Sequence, residues 1–187
     1  MTTRSVCVFC GARMGARPEY AAAATATGEM LAREGFRLVF GAGDVGLMGA
    51  AAQAARAAGG RTLGVIPRHL VGRGTGKEAA GADPARHVIT ETMHERKKVM
   101  FMNSDAIVML PGGAGSLDEF FEVLTWRQLG LHDKPVYLLD VAGYWAPLLA
   151  LLDHVIAEGF ADASLKGFVS RADNVQDLAT SLRAALS

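Results

Sequence analysis

Short apolar segments alternate with longer amphipathic segments along most of this 187-residue chain. The apolar segments are rich in β-branched and aromatic residues and are bounded by glycine, proline or polar residues, which is typical of buried strands. They predict strands at 5–10, 37–40, 61–66, 86–89, 106–110 and 134–139. Helical periodicity predicts helices at 18–33, at 93–103 and near 146–157. It also predicts an alanine-rich helix that ends at about 58 and a helix that begins at 116. The tail predicts a short strand and a closing helix.

Strands that alternate with helices predict βαβ units and a mostly parallel sheet flanked by helices on both faces. The fold class expected is therefore α/β, with a single Rossmann-like nucleotide-binding domain over residues 1–187. Ligands of such sheets bind at the carboxyl ends of the strands, where the glycine-rich segments of this chain fall. Residues 68–84 contain four glycines and predict a mobile loop that could act as a lid.

Composition narrows the possible partners. Half of the residues are hydrophobic, and 19 basic residues balance 19 acidic ones, so a globular protein is expected without the positive field that holds nucleic acid. No apolar run is long enough to span a membrane and no signal-peptide pattern is present, so we expect a cytoplasmic protein without membrane contacts. The five scattered histidines have no metal-binding spacing, and neither a metal site nor a cofactor is expected.

Cys7 and Cys10 form a C-x-x-C pattern, which can indicate a redox or metal site. The two residues lie in a predicted strand, where side chains three positions apart point to opposite faces. No second cysteine pair is present. We therefore interpret both as structural cysteines.

The strongest local pattern runs from Asp105 to Gly130. A predicted strand ends at Pro111, a loop follows with glycines at 112, 113 and 115, and Ser116 is predicted to begin a helix. Backbone N–H groups of such a loop, together with the positive end of the helix dipole, favour phosphate binding. Glu119 lies within reach of a bound phosphate ester. Ser116 and Glu119 also match a capping box, and this structural role would account for both residues without a catalytic or binding function.

The segment 41–46, GAGDVG, matches the dinucleotide pattern G-x-G-x-x-G. The acidic residue expected at the end of the next strand to bind the ribose is missing, because that strand ends in Gly-Val-Ile-Pro. NAD and FAD are therefore disfavoured. We interpret Gly41, Gly43 and Gly46 as a possible second loop that approaches a mononucleotide, with a simple tight turn as the alternative.

Thr92 and Glu95 predict a capping box at the start of the helix 93–103. Arg96 falls on the same helix face as two methionines, and a buried arginine needs a partner. That partner could be a carboxylate in a structural salt bridge or a bound anion. Lys97 is expected to be solvated or to make a weak phosphate contact.

Two of these segments resemble the signatures of the LONELY GUY family. PGGAGSLDE at 111–119 resembles the family pattern PGGxGTxxE, and MHERK at 93–97 resembles the second family motif. Further blocks follow the family order: VFCG at 8–11, GLMG at 46–49, GVIP at 64–67 and TWRQLG at 125–130.

The resemblance implies a cytokinin riboside 5′-monophosphate phosphoribohydrolase, an N-glycosyl hydrolase of AMP or N6-substituted AMP that needs no cofactor. It also implies a homodimer with the site at the interface. Arg96 and Glu119 would be the catalytic pair. The resemblance assigns substrate binding to Glu78, Met93, Lys97, Gly112, Gly113, Ala114, Gly115, Ser116, Leu117, Asp118 and Thr125.

Three residues depart from the family pattern: Ser116 replaces threonine, Ala12 replaces serine and Ala42 replaces glycine. These changes put substrate preference in question more than activity. A nucleotide- or cofactor-binding carrier without turnover is the alternative function. An amino-acid decarboxylase has little support, because no lysine lies in a recognisable pyridoxal phosphate context.

Overall fold

The computed structural model describes residues 3–71 and 87–187. In these two ranges, seven strands form one parallel sheet in the order β4-β3-β2-β1-β5-β6-β7. Their bounds are β1 Ser5–Phe9, β2 Arg37–Phe40, β3 Thr62–Pro67, β4 His87–Thr90, β5 Ala106–Met109, β6 Val136–Leu139 and β7 Ser170–Ala172. The predicted α/β, Rossmann-like fold is confirmed.

Within the described residues, six α-helices cover the two faces of the sheet. They are α1 Pro18–Arg33, α2 Gly46–Ala57, α3 Met93–Met102, α4 Ala114–Gln128, α5 Ala146–Ala157 and α6 Val175–Leu186. One core cluster joins the sheet to α1, α2 and α6, and a second joins it to α3, α4 and α5. Cys10 belongs to the first cluster and Cys7 to the second, and both are free and buried. The prediction that they point to opposite faces of the sheet is confirmed.

The strand order reverses between β1 and β5, and this is the point where such sheets bind ligands. The two strands are paired in register from Val6 with Ala106 to Phe9 with Met109. Their ends are joined where the Gly11 amide donates to the Pro111 carbonyl oxygen at 3.0 Å. The loops after β1 and β5 are therefore held side by side at the carboxyl edge of the sheet.

Most predicted elements lie within one or two residues of the observed ones, and the bounds of α1, β2 and α5 match. The important difference is the start of α4, which begins at Ala114 rather than at Ser116. The predicted lid falls mostly outside the described residues; its first part is a short 3₁₀ turn at Arg68–Leu70. Among the described helices, none has both the length and the apolarity needed to cross a membrane.

Candidate active site

A cavity of about 520 Å³ lies at the carboxyl edge of β1 and β5. Its size falls within the range of small-molecule sites. Its walls come from the loop after β1, the loop after β5, the start of α4, and side chains of α1, α2 and α3. Of the predicted site residues, those that line this cavity are Gly41, Arg96, Gly112, Gly113, Gly115, Ser116 and Glu119.

The amino end of α4 opens onto this cavity. Gly113 is the N-cap residue, and no side chain caps the helix. Since the first amides of a helix have no partner within the helix, they are available to an anion. A Cβ atom on Gly113 or Gly115 would meet no atom within 4 Å, whereas one on Gly112 would lie 2.1 Å from the Ser116 Oγ. Gly112 is required by packing, and the other two glycines leave space for a ligand.

A buried ion pair forms the wall beside this helix end. The Arg96 Nη1 donates to the Glu119 Oε1 at 3.2 Å, and both side chains are about nine-tenths buried. The other guanidinium nitrogens donate to backbone carbonyls: Nε to Val65 at 3.2 Å and Nη2 to Gly41 at 3.4 Å. Three bonds from three elements therefore fix the arginine, and the arginine fixes the carboxylate.

Burial raises the pKa of Glu119 from 4.5 to about 7, although the charge of Arg96 opposes the shift. Desolvation penalises the ionised carboxylate more than the nearby guanidinium favours it. A carboxyl group with such a pKa is partly ionised near neutral pH. Groups with a pKa near the working pH are effective in proton transfer.

The capping-box explanation of Ser116 and Glu119 is wrong. Helix α4 begins two residues before Ser116, with Gly113 at the N-cap, so both residues lie inside the helix. Glu119 instead reaches Arg96 and supplies a carboxylate partner for the arginine. The other predicted capping box, between Thr92 and Glu95, is confirmed at the start of α3.

The expectation that Lys97 is solvated is also wrong. Its side chain is 8% exposed, and its Nζ lies 2.9 Å from Asp118 Oδ2 and 3.2 Å from Glu122 Oε2. Two carboxylates one turn apart on α4 therefore hold a lysine of α3. These ion pairs join the two helices that carry Arg96 and Glu119.

Several predicted site residues lie on the outer side of α3 and α4 rather than at the cavity. Met93 and Asp118 are exposed, and the Thr125 hydroxyl donates to the Phe121 carbonyl oxygen at 2.7 Å. Lys97, Ala114 and Leu117 do not line the cavity either. Glu78 lies outside the described residues.

The glycine segment after β2 contributes only its first residue to the cavity. A Cβ on Gly41 would lie 1.7 Å from the Arg96 Nη2, so this position makes room for the guanidinium. Gly43 and Gly46 do not line the cavity. Ala42 has a positive φ of 54° and packs with Ile66 instead of facing the cavity.

Ala12, one of the departures from the family pattern, also lines the cavity. Residues that were not predicted to lie there are Arg13, Gly15, Tyr20, Leu47, Met48, Met100 and Tyr144, among others. The loop 11–15 could have been found, because it follows the strand next to the phosphate loop and is rich in glycine. Tyr144 gave no signal, because its position depends on the turn that follows β6.

The fold and the site define a Rossmann-like protein with an uncapped helix end and a buried Arg–Glu pair in one cavity. A family model described as "Possible lysine decarboxylase" matches residues 48–182. Cytokinin riboside 5′-monophosphate phosphoribohydrolase LOG5 of Arabidopsis thaliana is 42% identical over 181 residues, which cover 97% of this chain and 78% of that protein. LOG3 of the same plant, with the same activity in its name, is 40% identical over 179 residues, or 96% and 81% of the two chains. This chain therefore belongs to the LONELY GUY (LOG) family, as its motifs predict.

Solved structures with the same fold include the molybdenum cofactor binding protein of Rippkaea orientalis. It is 22% identical with a TM-score of 0.73, and the match covers 100% of this chain and 99% of that one. The molybdenum cofactor carrier protein of Chlamydomonas reinhardtii is 21% identical with a TM-score of 0.72, covering 99% of each chain. At this identity the similarity shows the shared fold alone.

Proposed function

We propose that this protein hydrolyses the N-glycosidic bond of AMP or N6-substituted AMP and releases an adenine-type base and ribose 5-phosphate. With an N6-substituted substrate, this reaction is cytokinin activation. The observation that carries the proposal is the buried pair of Arg96 and Glu119 on the wall of a cavity that also contains an uncapped helix end. The activity in the names of the LOG relatives supplies the substrate class.

The amino end of α4 is the proposed site of the 5′-phosphate. The amides of Gly113, Ala114, Gly115 and Ser116 lack a side-chain cap, and the glycines leave space beside them. A phosphate held there fixes the sugar far from the group that leaves, so part of the binding energy serves to position the reacting bond. Ser116 keeps the hydroxyl that the family threonine would supply.

The proposed chemistry consumes one water molecule. The C–N bond breaks, the water oxygen bonds to the anomeric carbon, and the departing base gains a proton in place of that bond. Positive charge develops on the ribose, and an ionised Glu119 would stabilise it or take the proton of the attacking water. We assign Arg96 the positioning of Glu119, since its other two donor contacts go to backbone carbonyls.

A homodimer with residues of α3 and α4 at its interface is part of the proposal. Phe121 and Thr125 lie one turn apart on the exposed side of α4, and Leu129 follows one turn later. Phe121 is 37% exposed and Leu129 is 67% exposed, as apolar side chains at an unpaired interface would be. Met93, Lys97, Leu117, Asp118 and Thr125 would then approach substrate from the partner's side. The cytoplasm is the proposed compartment, in keeping with two free thiols.

The residues of this cavity do not support the lysine decarboxylase activity that the family description names. Pyridoxal phosphate enzymes hold their cofactor through a lysine Schiff base. Among the described residues that line the cavity, there is no lysine. Lys97 is committed to two carboxylates outside it.

The test compares wild type with Glu119→Gln on N6-isopentenyl-AMP and AMP, with free base measured by chromatography. Glutamine keeps the shape and an acceptor for Arg96 but cannot carry the negative charge. We expect kcat to fall by about 10²- to 10⁴-fold, the range for loss of an acid–base group. In wild type, kcat/KM should rise with pH around a midpoint near 7, because this parameter reports ionisation of the free protein, in which Glu119 has a pKa of about 7.

Glu29→Gln is the matched control, because Glu29 also pairs with an arginine, Arg33 at 2.9 Å, but lies on α1 and does not line the cavity. It should keep the activity of wild type. If Glu119→Gln releases base as fast as wild type, the assignment of Glu119 is refuted. If wild type binds AMP with thermal stabilisation but releases no base, the non-catalytic carrier becomes the better description.

A further inference from the structure

The turn that follows β6 has a constrained backbone. Ala142 has a φ of 53° and Gly143 a φ of 73°, so two consecutive residues take the left-handed conformation. Such a conformation is unfavourable for alanine and persists only where surrounding contacts hold it. Here the buried Asp140 carboxylate accepts a hydrogen bond from the Trp145 amide at 2.8 Å and closes the turn.

This turn places Tyr144 against the glycine loop after β5. The Tyr144 hydroxyl donates to the Gly112 carbonyl oxygen, and its ring lines the cavity. The ring makes edge contacts with two other aromatic rings, with centroids 5.6 Å from Tyr20 and 4.8 Å from Trp145. The hydroxyl therefore reaches the loop from a rigid support.

The hydrogen bond to the Gly112 carbonyl also fixes the orientation of the amide on the other side of the same peptide bond. The peptide unit is planar and trans here, as it is throughout the described residues, so its N–H points opposite to its C=O. Fixing the Gly112 carbonyl on Tyr144 thus fixes the direction of the Gly113 amide, the first of the uncapped amides of α4. The preceding peptide is fixed in the same way, because the Pro111 carbonyl oxygen accepts from Gly11 at 3.0 Å.

We infer that Tyr144 is a positioning residue that pre-organises the anion-binding loop for a 5′-phosphate. The inference rests on the proposed function, since it assigns the phosphate to the amino end of α4. Without the hydroxyl, the peptide between Gly112 and Gly113 loses its anchor, and a phosphate must order it on binding. Pre-organisation of this kind changes affinity for the phosphate and not for the rest of the ligand.

The test is calorimetric binding of AMP and of adenosine to wild type and Tyr144→Phe, each also carrying Glu119→Gln so that AMP is not hydrolysed during the titration. Phenylalanine keeps the ring and its contacts and removes only the hydroxyl. We expect affinity for AMP to fall about tenfold, or 1.4 kcal/mol, while affinity for adenosine stays unchanged. The preference for AMP over adenosine therefore falls by the same factor. In the hydrolysis assay, KM for AMP should rise and kcat should change little.

Tyr137→Phe is the matched control. The Tyr137 hydroxyl also donates to a backbone carbonyl, that of Ser181 at 3.2 Å, but Tyr137 does not line the cavity. It should keep the AMP preference of wild type. If Tyr144→Phe keeps that preference, or loses AMP and adenosine binding equally, the positioning role is refuted while the proposed hydrolysis stands. If wild type itself does not prefer AMP, the phosphate site and this inference are both overturned.

Discussion

Replacing Glu119 with glutamine should make the protein more stable than wild type at alkaline pH. The carboxyl group is nine-tenths buried, and its pKa is about 7 in the folded protein against 4.5 for the free side chain. A raised pKa means that the folded state holds the proton more tightly than the unfolded state. Below about pH 4.5 both states are protonated, and glutamine is a close mimic of the protonated acid.

The size of the effect follows from linkage. Between the two pKa values the unfolded state releases a proton that the folded state keeps, so stability falls by about 1.4 kcal/mol per pH unit. The full rise of the pKa from 4.5 to about 7 corresponds to about 3 kcal/mol. From about pH 5.5 to about pH 8.5, the free energy of unfolding of wild type should fall by about 2 kcal/mol relative to that of Glu119→Gln. The value is smaller than the full effect because part of the titration lies outside this pH range.

Urea unfolding of both proteins across this window measures the difference directly, because titrations common to both cancel. For a chain of this size, about 2 kcal/mol corresponds to roughly 4–8 °C in Tm. A difference that does not change with pH would mean that Arg96 offsets the burial of the carboxylate. A wild type that gains stability relative to the variant as pH rises would show that the pKa of Glu119 is depressed, and would refute the sign of the argument.

Three further predictions concern the cavity and its loops. Gly113→Ala should fold normally but raise KM for AMP in kinetic assays, because its Cβ enters the open space at the helix end. Gly112→Ala should instead lower the Tm in thermal melts, because its Cβ meets the Ser116 Oγ. Arg13→Ala should raise KM for AMP about two- to fivefold at low salt and less at high salt, because an exposed cation lining the cavity is screened. Ala42→Gly should change the unfolding free energy by less than about 1 kcal/mol, since relief of left-handed strain is offset by backbone entropy, while Ala42→Val should destabilise.

The sequence predicts the fold well because local and global signals agree. The segment Pro18–Arg33 begins with a proline suited to the first helical turn and ends before a glycine that takes a φ of 75°. Strand β1 alternates between the two core clusters, so its pattern alone places Cys7 and Cys10 on opposite faces. Parallel topology then follows from the alternation of strands and helices.

Side-chain partners were harder to predict, because they depend on contacts between elements. Lys97 has the sequence neighbours of a solvated residue, and its two carboxylates lie more than twenty positions away on α4. Tyr144 is 32 positions from the carbonyl that it contacts. Neither pairing follows from the periodicity of one helix or strand.

The start of α4 decides how the candidate site is interpreted. A helix beginning at Ser116 would place Glu119 where its carboxylate returns to the N-cap amide, and the helix end would be satisfied internally. With the N-cap at Gly113, the same glutamate lies deeper in the helix and meets Arg96, and the helix end has no side-chain cap. Moving the N-cap by three positions, from Ser116 to Gly113, therefore has two consequences. It frees the backbone amides for an anion, and it moves a carboxylate to the cavity wall beside them.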